Sequence, residues 1–147
     1  MDKVDNENME VLLAEDDQDD VLLFQLALKE MTFPTNLRHA ENGEVLFTLL
    51  KQYISDLLFL DIHMPCKDGV SCIIEIRKNK EYDNLPVVMY TSHSTENYID
   101  NCFRNGANLY LIKNKTFREL VENLRTIFSF DWKKQMFYPP KQQFVLS

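Results

Sequence analysis

Short apolar runs alternate along this chain with longer segments in which apolar residues recur every three or four positions. A short apolar run bounded by turn residues is typical of a strand buried on both faces, and the longer spacing is typical of an amphipathic helix. The sequence predicts strands at 10–14, 36–40, 57–60, 85–90 and 108–112. It predicts helices at 19–28, 44–53, 70–77, 95–105 and 116–128.

This alternation of strand and helix predicts a parallel sheet with helices on both faces and right-handed crossovers. The segment 36–40 has the weakest pattern and is expected near an edge of the sheet. Two helix ends carry specific signals. Gly106 follows the fourth helix as a cap, and Thr116 and Glu119 have the spacing of a capping box at the start of the fifth.

The length of the chain predicts one main domain. The first residues are polar and acidic, and the last ones are rich in aromatic residues without helical spacing. The predicted organisation is a flexible tail at 1–9, a domain at 10–129 and a carboxyl-terminal extension at 130–147, with no separate output domain.

Charge and composition argue against several kinds of function. The 147 residues carry a formal net charge of −7, which argues against a nucleic-acid surface and against binding to anionic membranes. No apolar run approaches the roughly 20 residues of a spanning helix, and the acidic start is not a signal peptide. Cys66, Cys72 and Cys102 have no metal-type spacing, and we expect reduced, buried thiols in a cytoplasmic protein.

Polar side chains stand at the carboxyl ends of four of the predicted strands. They are Glu15, Asp16, Asp61, Thr91 and Lys113. Because parallel strands end at one edge of the sheet, these residues are expected to converge although they lie far apart in sequence. Three neighbouring carboxylates repel one another, so a divalent cation is expected between them, and Mg²⁺ prefers such oxygen ligands.

This set of residues predicts phosphoryl transfer to Asp61. A cation would neutralise charge on the transferring group, so that the carboxylate of Asp61 could attack phosphorus. Lys113 would pair with the phosphoryl oxygens, and Thr91 would donate a hydroxyl hydrogen bond to one of them. The chain has no glycine-rich phosphate loop, so a nucleotide is not the expected donor.

Four motifs resemble the receiver domain of the response regulators of two-component signalling, in its single-domain form. They are LLAEDD at 12–17, DIHMPCKDG at 61–69, YTS at 90–92 and GANLYLIK at 106–113. The resemblance extends from Val11 to Phe128 and covers most of the chain. It implies a flavodoxin-like fold with a five-stranded parallel sheet in the order 2-1-3-4-5.

The resemblance also implies a phosphodonor and a metal site. Asp61 would take the phosphoryl group from a sensor histidine kinase or a phosphotransfer protein. The chain would therefore not be an enzyme beyond catalysing its own phosphorylation and dephosphorylation. Mg²⁺ would be held by Asp61, by Asp16 directly, by Glu15 through water, and by the backbone carbonyl of His63.

A switch is a further implication of the resemblance. Thr91 and Tyr110 match the family's switch pair, in which the hydroxyl moves toward the phosphoryl group and the tyrosine turns inward to fill the vacated space. The phosphoryl group would thus bias a two-state equilibrium and alter the face built by the fourth helix, fifth strand and fifth helix. An unidentified downstream protein would bind in response, and pairing through the last helices would give a homodimer.

Three departures from the family pattern bear on the site. Lys113 is followed by Asn114 instead of proline, so we expect a trans bond there, because a cis bond before a non-proline residue costs ~3–4 kcal/mol. Ser92 replaces a smaller residue and is expected to retain function. His63 and His93 each stand two residues after a site residue, where they would tune the lifetime of the phosphoryl group or be ordinary loop residues.

Two alternative functions use the same residues. A Mg²⁺-dependent hydrolase with Asp61 as nucleophile commonly has a second acid two residues later, where this chain has His63, and it needs a cap domain. A degenerate receiver that only binds partners is disfavoured by the complete set of strand-end residues. His39 is interpreted as structural. The extension 130–147 is expected to dock on its own domain or across a dimer, because its aromatic residues would otherwise be exposed.

Overall fold

The computed structural model describes residues 8–113 and 116–147, and these residues form a six-stranded parallel sheet flanked by five α-helices. The strands are β1 (Met9–Ala14), β2 (Thr35–Ala40), β3 (Leu57–Leu60), β4 (Val87–Thr91), β5 (Leu109–Ile112) and β6 (Val145–Leu146). The helices are α1 (Gln18–Leu28), α2 (Gly43–Gln52), α3 (Gly69–Lys78), α4 (Glu96–Arg104) and α5 (Phe117–Phe128).

The strands lie in the order β2-β1-β3-β4-β5-β6, so the prediction of a flavodoxin-like parallel sheet is confirmed in its first five strands. The order reverses between β1 and β3, which places a crevice at the carboxyl ends of these two strands. Ala14 pairs with Leu60 and Leu60 with Met89, so the ends of β1, β3 and β4 lie side by side.

Each face of the sheet is covered by its own apolar cluster. One cluster joins the sheet to α2, α3 and α4, and the other joins it to α1 and α5. Successive residues of β1 enter opposite clusters: Leu12 belongs to the first, and Leu13 to the second. The continuous apolar runs of the sequence therefore correspond to strands that are buried on both faces.

The predicted number of five strands is wrong, because residues 145–146 add a sixth strand. β6 pairs in parallel with β5, with Tyr110 opposite Val145 and Leu111 opposite Leu146. A two-residue strand has too few residues for an alternating apolar pattern, so no such pattern identifies β6 in the sequence. Its position covers the backbone edge of β5 that a five-stranded sheet would leave open.

The carboxyl-terminal extension packs on its own domain, which is one of the two arrangements expected for it. Trp132 is buried, and its indole Nε1 donates to the carbonyl of Ile127 at 2.9 Å. Phe144 is fully buried between α4 and β5, where its ring centroid lies 5.1 Å from that of Phe103. Lys141 forms an ion pair with Asp100 of α4.

The predicted helix caps are confirmed at the two positions with specific signals. Thr116 Oγ1 accepts a hydrogen bond from the backbone N–H of Glu119 at 3.1 Å. Gly106 follows α4 with a φ of 95°, which favours glycine. No helix within the described ranges is both long enough and apolar enough to cross a bilayer.

The cysteines differ in burial. Cys72 and Cys102 are buried free thiols, as predicted, and burial raises the pKa of each to about 12. Cys66 is an exposed free thiol, so the prediction that all three are buried is wrong for this residue. It lies in the loop between β3 and α3 with a φ of 71°, and it belongs to neither apolar cluster.

Candidate functional site

The site lies at the carboxyl edge of the sheet, where the strand ends bring distant residues together. Glu15, Asp61 and Thr91 are buried there, although all three are polar, and Asp16 is exposed beside them. Burying a polar group is unfavourable unless it is paired, so each buried carboxylate needs an explanation in the local structure.

Three carboxylates form a cluster within this edge. One oxygen atom from each of Glu15, Asp16 and Asp61 lies within 4.8 Å of the other two. Oε1 of Glu15 is buried and has no well-aligned hydrogen bond from any described residue, although the ammonium of Lys113 lies 2.7 Å away. An oxygen-rich cluster with an incompletely paired buried oxygen fits a hard divalent cation such as Mg²⁺.

Burial also changes the protonation of Glu15. Desolvation raises the pKa of this carboxyl from 4.5 to about 7. Repulsion from Asp61 raises it as well, and the nearby ammonium of Lys113 lowers it by a smaller amount. A cation bound between these carboxylates would favour the ionised form of Glu15 and relieve the repulsion.

Lys113 is the cation of the site and contacts three carboxylates. Its Nζ lies 2.7 Å from Glu15 Oε1, 2.7 Å from Asp20 Oδ2 and 3.3 Å from Asp61 Oδ2. Burial lowers the pKa of Lys113, but its contacts with the carboxylates of Asp20 and Glu15 outweigh this effect and leave the pKa raised. Asp20 has no feature in the sequence that singles it out, because it lies on a helix and not at a strand end.

The loop after β3 is held tightly against Asp61. Ile62 N–H donates to Asp61 Oδ1 at 2.7 Å, and Gly69 N–H donates to the carbonyl of Ile62 at 2.7 Å. A Cβ atom on Gly69 would lie 2.2 Å from the carbonyl oxygen of Asp61. Gly69 is therefore required for the close approach of α3 to the strand end, a role that its Asp-Gly sequence alone does not reveal.

Thr91 and Tyr110, the predicted switch pair, lie on neighbouring strands: Thr91 is the last residue of β4, and Tyr110 lies within β5, where it pairs with Met89. Thr91 Oγ1 accepts from the backbone N–H of His93 at 3.3 Å, and the Thr91 carbonyl accepts from the N–H of Lys113 at 2.8 Å. Tyr110 is fully buried, and its hydroxyl donates to the carbonyl of His93 at 2.7 Å. The tyrosine therefore already has the inward position that the resemblance assigns to the phosphorylated state.

The two histidines predicted near the site contact each other. The ring centroids of His63 and His93 lie 4.1 Å apart, and Tyr98 of α4 packs against both rings. The Tyr98 hydroxyl lies 3.3 Å from His63 Nε2. These residues form an aromatic group beside the loop that follows Asp61, so the histidines are not isolated in solvent.

Two further sequence predictions concern neighbouring residues. His39 donates from Nε2 to the backbone carbonyl of Glu15 at 2.7 Å, which agrees with its structural interpretation. Ser92 is exposed after β4. The Lys113–Asn114 bond, predicted to be trans, lies outside the described residues.

Comparison with known proteins identifies relatives along most of the chain. Residues 11–125 match the family model of the response regulator receiver domain. Chemotaxis protein CheY-3 of Vibrio cholerae serotype O1 is 29% identical over 128 residues, covering 87% of this chain and 98% of CheY-3. Response regulator Rcp1 of Synechocystis sp. is 29% identical over 127 residues, covering 82% of this chain and 86% of Rcp1.

Solved structures give the same result. The crystal structure of Mn²⁺-bound Rcp1 has a TM-score of 0.76 at 28% identity and covers 90% of this chain and 99% of that one. The phosphorylated cyanobacterial phytochrome response regulator RcpA has a TM-score of 0.80 at 26% identity, covering 91% of this chain and 100% of that one.

Proposed function

We propose that this chain, which belongs to the response regulator receiver family of signalling modules, accepts a phosphoryl group on Asp61. The proposed reaction depends on Mg²⁺. The donor is a phosphohistidine on a sensor histidine kinase or phosphotransfer protein. The observation that carries this proposal is the convergence of Glu15, Asp16 and Asp61 within 4.8 Å, with the ammonium of Lys113 beside them.

Each residue has a role in the proposed transfer. An oxygen of Asp61 forms a bond to phosphorus while the P–N bond of the donor breaks. The electron pair of the P–N bond stays on the donor imidazole. Lys113 balances charge on the phosphoryl oxygens, and the Thr91 hydroxyl donates to one of them. Asp61, Asp16, Glu15 and the backbone carbonyl of His63 would hold Mg²⁺, which supplies positive charge at the transferring group.

Phosphorylation is proposed to act through Thr91 and Tyr110. Thr91 would exchange its contact with the His93 N–H, at 3.3 Å, for one with a phosphoryl oxygen. Tyr110 is buried between α4 and the carboxyl-terminal extension, so its inward position reports on the packing of both elements. The signal is a phosphorylation-dependent contact with a downstream protein. Pairing of two copies through the last helices, as a homodimer, is a separate part of the proposal.

His63 and His93 are proposed to tune the lifetime of the phosphoryl group. Their rings pack together with Tyr98 beside the loop after Asp61, which supports an effect on the approach of water. This aromatic group slows hydrolysis by shielding the phosphoryl group from water. Removing one of its rings should therefore raise the rate of hydrolysis.

The domain organisation and location complete the proposal. The receiver unit is assigned to 10–129, and the extension at 130–147 stabilises it. Of the tail predicted at 1–9, residues 1–7 lie outside the described residues, and Met9 belongs to β1. The free thiols of the described cysteines support a cytoplasmic location, where thiols are kept reduced. Limited proteolysis tests the place of the extension, because residues 130–147 should resist cleavage while they are docked on the unit.

Incubation with acetyl phosphate and Mg²⁺, followed by intact-mass measurement, tests the function. A stable adduct of one phosphoryl group that is absent in Asp61→Asn, and retained in the exposed control Asp83→Asn, supports a receiver. Rapid turnover of unrelated phosphoesters without an adduct would support a hydrolase. No reaction at all would support a binding module that has lost phosphorylation.

A further inference from the structure

Asp20 connects α1 to the phosphorylation site, although it lies on a helix and at no strand end. Its backbone N–H donates to Oδ1 of Asp17, the cap of α1, at 3.1 Å, which fixes its place in the first turn. Its side chain receives the ammonium of Lys113 at 2.7 Å, a shorter contact than the 3.3 Å from that ammonium to Asp61. Asp20 is not part of the carboxylate cluster found among the described residues.

We propose that Asp20 is a positioning residue that keeps the Lys113 ammonium directed at Asp61 when a divalent cation engages Glu15. This inference rests on the proposed function of Asp61 as phosphoryl acceptor. It assigns to Asp20 neither contact with the phosphoryl group nor ligation of the metal.

The arrangement of charges around Lys113 supports this role. An ammonium group has three N–H donors, and here three carboxylates surround it. Glu15 belongs both to this group and to the carboxylate cluster, so a bound cation competes with Lys113 for it. Asp20 contacts Lys113 and lies outside the carboxylate cluster, so its contact with the ammonium persists when the contact between Glu15 and the ammonium weakens.

Without Asp20, and with Glu15 engaged by a cation, the carboxylate contact left to the ammonium among the described residues is the longer one to Asp61, at 3.3 Å. The Tyr90 ring lies 5.3 Å from Nζ, and the Lys113 side chain is 15% exposed. A flexible lysine side chain that loses its charged partners turns to water, where the ammonium is strongly hydrated. Asp20 therefore reduces the ordering required when Lys113 pairs with the phosphoryl oxygens.

Substitution of Asp20 by asparagine tests the inference. We expect Asp20→Asn to lower the maximal rate of phosphorylation by acetyl phosphate at saturating Mg²⁺ by about tenfold, as for the loss of one charge-assisted hydrogen bond. Asp20→Glu should recover part of the rate because it restores the carboxylate. Asp19→Asn is the matched control, since it removes the same charge from the same turn at an exposed position.

The orientation of Lys113 is measured separately, by NMR of its ¹⁵N-labelled ammonium with Mg²⁺ alone. The signal should persist in the wild type and in Asp19→Asn, and should be lost to solvent exchange in Asp20→Asn. This readout needs no phosphoryl transfer, so failure of the wild type to be phosphorylated would refute only the proposed function. Three results would overturn the positioning role. They are a phosphorylation rate in Asp20→Asn that equals the wild-type maximal rate, an equal loss of rate in Asp19→Asn, and an effect of Asp20→Asn that is confined to the Mg²⁺ concentration at half-saturation.

Discussion

Replacing Phe144 by alanine removes the side chain through which the carboxyl-terminal extension is anchored. Phe144 is fully buried, its ring lies 5.1 Å from Phe103 and 6.0 Å from Tyr110, and its carbonyl accepts from Tyr110 N–H at 2.9 Å. Burying a phenylalanine contributes about 1.5–3 kcal/mol, and each aromatic pair adds about 0.5–1.5 kcal/mol. We therefore expect Phe144→Ala to lower the free energy of unfolding by about 3–5 kcal/mol, the range for core phenylalanines.

Urea unfolding followed by circular dichroism measures this loss. Tyr138→Ala is the control, because this aromatic residue of the same extension is 53% exposed and should cost less than about 1 kcal/mol. Hydrogen exchange at Tyr110 N–H gives a local readout, since this group should exchange faster in Phe144→Ala if the extension detaches. Equal stabilities of the two variants, with unchanged exchange at Tyr110, would refute the anchoring role of Phe144.

Three further predictions concern single groups. A thiol reagent should label Cys66 rapidly in the folded protein and the two buried cysteines only in denaturant; equal labelling rates would contradict the assigned burial. Without divalent cations, the raised pKa of Glu15 contributes to the free energy of unfolding; this contribution is fully present below pH 4.5 and is lost as the pH rises to about 7. Glu15→Gln should abolish this decline in urea unfolding. Once phosphorylated, His93→Ala should lose the phosphoryl group faster than wild type, and identical decay across pH 6–8 would exclude a rate-tuning role.

The sequence predicted those parts of the site that follow from the sheet alone. Buried parallel strands have a continuous apolar pattern and end at one edge, so Asp61 and Lys113 were placed together from their positions after strands. Asp20 was missed because its role depends on how α1 is oriented against β5. A single aspartate in the first turn of a helix is otherwise explained by the helix dipole.

The extension shows where pattern-based prediction ends. Aromatic residues at 130–147 indicated docking, but the two-residue strand β6 depends on an open edge of β5 that only the assembled sheet provides. The position of Tyr110 has the same origin. Its inward placement depends on packing against Phe144, which is far from it in sequence.

The most direct test of phosphorylation on Asp61 is to identify the residue that carries the phosphoryl group. After reaction with acetyl phosphate and Mg²⁺, reduction with borohydride converts an aspartyl phosphate into homoserine, which peptide mass spectrometry locates in the sequence. We expect homoserine at position 61 and at no other carboxylate of the cluster. Homoserine at Asp16, or phosphoryl incorporation that survives in Asp61→Asn, would contradict this expectation.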